Sequence, residues 1–290
     1  MNPVIPLSKD VAGLQIRRSL RGELSALAVL FGLSLRQQAR GRKLIVLVVL
    51  YALPCVLAIV LRSLSRPAPT DVLEFALIYN LAPHVLAPLT ALLFAGGMIQ
   101  DEVEEQTLTY LLVRPLPRPA LYGCKLLATL LLTTLLVAVS TTGLYLAIYW
   151  NSAELARGSV AVRMLQTVGI FALGQIGYCS LFGCVGVLTR RTLIAGVVYI
   201  VVFEGLLANL QFMVRTLTVV YYVRVLALRW LDLPEQLLNQ WQKEWSLDLS
   251  QSPGGGACAL RLLGFGLAVT LLAAVAFSRR EFRMKTPEGA

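Results

Sequence analysis

The sequence predicts an all-α, polytopic membrane protein: six transmembrane helices, preceded by an interfacial amphipathic helix near the N-terminus. Three observations predict it. First, the 290 residues are 57% hydrophobic and only 14% charged, with a mean hydropathy of +0.71. A soluble domain is about 45–50% apolar and about 25% charged, and its surface needs polar cover that this composition cannot supply. Second, the apolar residues fall into six separate runs of near-spanning length. Third, the net charge of +10 is concentrated at the ends of those runs, as the bias of topology determinants requires.

A helix rises 1.5 Å per residue, so about 20 apolar residues cross a hydrocarbon core of about 30 Å. The runs are 44–61, 75–99, 126–149, 164–188, 193–210 and 258–277. Basic residues precede the first (Arg36, Arg40, Arg42, Lys43), lie between the second and third (Arg114, Arg118, Lys125) and between the fourth and fifth (Arg190, Arg191), and follow the sixth (Arg279, Arg280, Arg283, Lys285). With six spans all four sets fall on one side. The opposite short loops carry only Arg62 and Arg66, then Arg157 and Arg163. Both termini are therefore expected in the cytoplasm. Because the charge is distributed in this way rather than over one polar domain, a nucleic-acid partner is not expected.

Residues 1–43 form the cytoplasmic N-terminus. Within it, Leu24, Leu27, Leu30, Phe31 and Leu35 recur at helical spacing and make one stripe. This is the pattern of a helix lying on the cytoplasmic leaflet, with an ordinary soluble helix as the alternative. Met1 to Arg21 is mixed and polar, so a secretory signal is not expected there. Residues 211–257 are too polar to span and carry Tyr221, Tyr222, Trp230, Trp241 and Trp245, aromatics that favour the membrane–water boundary. One or two short helices over the outer face are expected there, joined to the last span by the flexible stretch Pro253-Gly254-Gly255-Gly256. Residues 278–290 are a cytoplasmic tail. The fourth run is studded with Gly169, Gly174, Gly177, Ser180, Gly183, Cys184 and Gly186, a spacing that lets helices approach closely. The five cysteines include no CxxC pair and read as small packing residues.

The sequence lacks the residues for bond chemistry. It has no glycine-rich phosphate-binding loop of the G-x-x-x-x-G-K-S/T type, no HExxH, no GxSxG and a single histidine, His84. A nucleotide-hydrolysing, proteolytic or metal-dependent role in this chain is therefore not expected, nor is a cofactor of its own. Polar residues inside the runs mark the candidate pathway. Glu204 lies deep in the fifth, where an acid costs about 2.5–3.5 kcal/mol on insertion scales; it either serves a pathway or interface, or sits nearer the outer boundary or is protonated. Asn80 and His84 are one turn apart in the second, beside Pro83 and Pro88; they either line a cavity or bond between helices.

The loop 100–125 is the most informative stretch. Asp101, Glu102, Glu104 and Glu105 cluster at its start, Leu108, Leu111 and Leu112 give one apolar face, and Pro115, Pro117 and Pro119 end and stiffen it. A short, rigid, charged helix projecting into the cytoplasm is expected, either a capped solvated loop or a docking element. The segment resembles the signature of the type-2 ABC exporter permease family. In that family an acidic stretch ending in E-x-G-T-L follows the second span, then a leucine-leucine-x-x-proline turn with an arginine, then Gly-x-Lys leading into the third. Here the matching residues are Glu104-Glu105-Gln106-Thr107-Leu108, Leu111-Leu112-Val113-Arg114-Pro115, Arg118 and Gly123-Cys124-Lys125, with Gln106 in place of the usual glycine.

The resemblance implies a permease subunit that performs no catalysis. It implies a second permease copy or related chain, and separate cytoplasmic ATPase subunits that bind the ATP and Mg. Glu102, Glu104, Glu105, Thr107, Arg114, Pro115, Arg118 and Lys125 are then the ATPase-coupling residues, and the location a bacterial inner membrane. The rival reading is a membrane scaffold or an ion-coupled secondary transporter without an ATPase. A secondary transporter usually shows paired, interrupted helices in matching halves, a symmetry not visible in the sequence. The cargo is not specified by any residue pattern.

Overall fold

The fold is described from a computed structural model over residues 20–64, 69–104, 117–150, 158–189, 191–207, 213–250 and 252–280. Among them there is no β-strand. The helices are α1 (Leu20–Ala39), α2 (Arg42–Ser63), α3 (Thr70–Glu102), α4 (Arg118–Ile148), α5 (Ser159–Leu188), α6 (Thr192–Leu206), α7 (Val219–Trp230), α8 (Glu235–Glu244) and α9 (Gly255–Arg279). Five of them, α2, α3, α4, α5 and α9, are long and apolar enough to cross a membrane.

The expected fifth span differs in length. Its described part, α6, is apolar but covers at most about 22 Å of a core of about 30 Å. Its last turns, Ile200–Leu206, are wide i→i+5 turns, which shorten a helix further. Residues 208–210, the end of the expected span, lie outside the described residues.

α2 shows how lipid-facing helices are built here. Its buried residues are Leu47, Tyr51, Pro54 and Ala58, one narrow stripe at helical spacing. The rest of its surface is apolar and exposed, including Ile45, Val46, Val49, Leu53 and Val56. A face of this extent is stable only against lipid or another protein. α1 packs along α4, burying Leu30 and Ser34. Gln38 Nε2 donates to Thr129 Oγ1 (2.8 Å) and Cys124 Sγ to the Leu27 carbonyl (3.3 Å), so α1 is stitched to the first half of α4.

α5 is the central helix, in contact with α3, α4, α6, α7 and α9. Its small residues make this possible. A Cβ on Gly186 would collide with the Gly96 carbonyl, so α3 and α5 cross backbone to backbone. Gly174 and Gly177 face Val223 and Val219 of α7. The sequence places α7 in an outer loop, but its residues Val219–Tyr221 and Val223–Leu228 are buried among α5, α9 and α3. α8 caps that end of the bundle. Its Trp241 and the following Trp245 pack on Phe75 and Tyr79 of α3. After α8, the Ser250 hydroxyl and N–H both donate to Asp248, which holds that carboxyl below its usual range.

α3 is the least regular span. It has wide turns over Glu74–Leu86 and Leu92–Gly96 and contains Pro83 and Pro88. Ala87 N–H bonds back five residues to the Ala82 carbonyl. Pro88, having no N–H, leaves the Pro83 carbonyl without its partner in that ladder. Tyr178 of α5 fills the gap, donating its hydroxyl to the Pro83 carbonyl (3.2 Å), and Gln175 Nε2 donates to the Ala87 carbonyl (3.2 Å). Irregular backbone inside a membrane protein persists where a neighbour satisfies the freed groups.

Candidate functional site

Three polar assemblies sit along the helices. The first is at the end of α3, where the stretch to α4 begins. Gln100, Asp101 and Glu102 are consecutive, and consecutive helical residues point about 100° apart. Each therefore reaches a different neighbour. Thr192 of α6 donates its hydroxyl to Gln100 Oε1 (2.7 Å). Lys43 of α2 bonds Asp101 Oδ2 (2.5 Å) and reaches the Leu93 carbonyl (3.4 Å). Lys125 of α4 pairs with Glu102, and both side chains are almost wholly buried. One helical turn thus holds α2, α4 and α6 together. At the other root of the 105–116 stretch, Arg118 Nη1 donates to the Ser278 carbonyl near the end of α9 (3.1 Å).

The second assembly is the break between α6 and α7. Glu204 is fully buried. Its Oε1 accepts the Val219 N–H (3.2 Å) and the Tyr199 hydroxyl (3.2 Å); its Oε2 accepts the Val220 N–H (3.2 Å). Val219 and Val220 are the first residues of α7, whose opening N–H groups have no partners within the helix. A carboxylate there also meets the positive end of the helix dipole. Thr218 completes the cap by accepting the Tyr221 N–H (3.3 Å).

One turn along α7, Arg224 Nη2 lies 2.6 Å from His84 Nε2. A guanidinium only donates, so Nε2 accepts, and Nδ1 carries the proton given to the Asn80 carbonyl (2.7 Å). Asn80 Oδ1 in turn accepts from Trp245 Nε1 (3.1 Å), and the Arg224 guanidinium lies 5.5 Å from the centre of the Trp245 ring.

The third assembly surrounds Glu74 at the α8 end of the bundle. Its oxygens accept from Tyr145 (2.9 Å), Tyr149 (2.5 Å) and Arg163 (3.1 Å), and Tyr79 and Thr167 join the tyrosine hydroxyls. The contacts of Glu74 and Tyr79 tie α3 to α4, to Tyr149 just after it and to α5, and the Tyr145–Thr167 bond ties α4 to α5. Among the described residues no group of three or more His, Cys, Asp or Glu side chains converges as metal ligands would.

A family model described as ABC-2 family transporter protein matches residues 37–206. The chain belongs to this family. No curated protein matches it. The ABC-2 match begins in the last turn of α1, includes the α3–α4 stretch with its Gln100–Glu102 root, and ends at α6. Arg224, Trp245 and α9 lie beyond it. As an ABC-2 protein this is a multi-pass membrane permease, a transport subunit and not a catalytic one. Membership implies association with an ATP-binding subunit.

Of the coupling residues expected in this ABC-2 permease, Glu102 and Lys125 are brought together as a buried pair, and Arg118 is exposed at the start of α4. Glu104 closes the helical run after α3, but its side chain, with all of Glu105, Thr107, Arg114 and Pro115, lies outside the described residues. Of the pathway candidates, Asn80 and His84 meet Trp245 and Arg224, while Glu204 meets the start of α7. Lys43, Gln100 and Thr192 were not singled out from sequence, because only their meeting at one turn distinguishes them. Arg224 was missed because its segment reads as an outer loop. Glu74 was missed because it lies one residue before the expected span.

Proposed function

We propose that this chain is the pathway-forming subunit of an ATP-driven exporter in a bacterial inner membrane. Both termini are cytoplasmic, and the stretch 105–116 docks a separate cytoplasmic ATPase that binds ATP and Mg. A second permease, identical or related, completes the assembly. When the nucleotide-bound ATPase dimer clamps shut, it pushes on this stretch, and the spans shift between inward and outward access. Glu104, Glu105, Thr107, Arg114 and Pro115 make the contact surface with Arg118. Glu102 and Lys125, which are buried, transmit the push.

The observation that supports this reading is the Gln100–Glu102 turn. A docking element moves a transmembrane bundle only if its root is fastened to the spans. Here three consecutive side chains fasten it to α2, α4 and α6. We assign Asn80, His84 and Glu204 to the pathway; Arg224 lies beside His84, and Glu204 caps the helix that carries it.

The test is co-purification. Tagged wild type in detergent is expected to bring down a stoichiometric cytoplasmic ATPase. A Glu104→Lys, Glu105→Lys, Arg118→Glu triple variant, monodisperse on gel filtration, is expected not to. Equal capture by both, or no ATPase with a monodisperse wild type, overturns the docking role. The α6–α7 break favours a second reading, an ion-coupled transporter, since such proteins build sites from interrupted helices. Uptake into vesicles driven by an ion gradient with no ATPase present would select it.

A further inference from the structure

Where α1 turns into α2 at Gly41, the helices do not close on each other. A cavity of about 330 Å³ opens between α1, α2, α3 and α4, within the range of about 300–1,000 Å³ usual for small-ligand sites. Its charged lining is Arg42, Lys43, Asp101, Glu102 and Lys125, joined by the amides of Gln37 and Gln38. The two ion pairs described above form one wall. Three cations against two carboxylates leave the lining with an excess positive charge.

Two features ask for a ligand of particular chemistry. Gln38 spends its Nε2 on Thr129, while its buried Oε1 accepts from no described residue, so this wall holds an acceptor without a donor. Arg42 is exposed, at the first position of α2. A guanidinium there offers a planar fork of donors suited to phosphate oxygens. The ligand that satisfies both carries a phosphate and, close to it, a hydrogen-bond donor. Directly beyond Arg42, α2 exposes Ile45, Val46 and Val49. A polar head in the cavity thus sits at the foot of an apolar wall on which acyl chains would lie. Basic pockets between transmembrane helices bind lipid head groups by this combination.

We infer that the α1–α2 elbow is a phospholipid site, selective for head groups that pair a phosphate with an N–H or O–H donor. The phosphate meets Arg42, and the donor meets Gln38 Oε1 and Asp101. The bound lipid bridges α1 to α2 and α3. This inference does not depend on the ATPase reading.

Native mass spectrometry of the full chain, stripped of lipid and retitrated, tests it. Wild type is expected to retain one phosphatidylethanolamine or phosphatidylglycerol at least fivefold more tightly than phosphatidylcholine, whose quaternary ammonium donates nothing. Arg42→Ala and Arg42→Glu are expected to weaken retention of all three lipids several-fold, because the phosphate is common to them, and Gln38→Leu is expected to lose the preference. Arg62→Ala, at the opposite end of the same helix, is expected to keep it. Glycerol 3-phosphate, the same chemistry without acyl chains, is expected not to displace the lipid. Displacement by it would overturn the lipid assignment in favour of a soluble phosphate ester. Equal retention of the three lipids by wild type, or unchanged retention in both Arg42 variants, would overturn the site.

Discussion

Glu204 Oε2 accepts the backbone N–H of Val220 at 3.2 Å. An acid near the middle of an apolar run thereby becomes the cap of the next helix. Its oxygens accept two backbone N–H groups and the Tyr199 hydroxyl. Glu204→Gln keeps one carbonyl oxygen for α7, while Glu204→Ala leaves two buried N–H groups unmet. We expect Glu204→Ala to lower stability by about 1–3 kcal/mol and Glu204→Gln by less than half of that. Thermal unfolding in detergent measures both. Equal loss in the two variants would show that charge, not capping, is what α7 requires.

The Glu102–Lys125 pair gives a different signature. Removing one member of a buried pair leaves a charge without compensation, a loss of about 3–5 kcal/mol, whereas replacing both by apolar groups is close to neutral. Lys125→Met is therefore expected to be more damaging than Lys125→Met with Glu102→Leu. The double variant is expected to fold and, if the Gln100–Glu102 turn couples the spans to an ATPase, to hydrolyse ATP in complex with little transport. Unfolding midpoints and transport in reconstituted vesicles separate the two effects.

Gly186 crosses the Gly96 carbonyl with no room for a Cβ. Since the obstacle is backbone, relief requires α3 and α5 to move apart. Gly186→Ala is expected to cost about 1–3 kcal/mol. Gly169→Ala, on the same helix with open space around it, is expected to change stability by less than about 0.5 kcal/mol. A differential scan of the two variants checks this, and equal midpoints would contradict the crossing.

Asn80 is the acceptor for Trp245 Nε1. Asn80→Leu removes it while preserving approximate volume, at a cost of about 1 kcal/mol. Hydrogen exchange is expected to rise roughly fivefold in Glu235–Glu244, the helix leading into Trp245, with α4 and α9 unchanged. A uniform rise across all spans would instead mean that Asn80 supports the whole bundle.

Much of the architecture was legible in the sequence. The apolar run of α2 and the small residues of α5 are local patterns, read from composition and spacing alone. The polar candidates were half legible: Glu204, His84 and Asn80 stand out because acids, imidazoles and amides are rare in apolar runs. Their partners were not. Arg224 and Trp245 are 140 and 165 residues away from His84 and Asn80, and Glu74 is explained only by tyrosines from α4 and an arginine from α5.

The sequence by itself determined that the chain lives in lipid, that it is helical, and that the stretch after the second apolar run carries an ABC-2 signature. These properties depend on composition and near-neighbour spacing, which the bilayer converts directly into helices, because every backbone group must be bonded within its own segment. Tertiary structure alone decided which polar groups meet. It made Glu204 a helix cap, set α7 inside the bundle, and turned three consecutive residues, Gln100 to Glu102, into the clasp of three helices. The energy of a buried charge depends on what faces it across a few ångströms, and the facing residues come from distant parts of the chain.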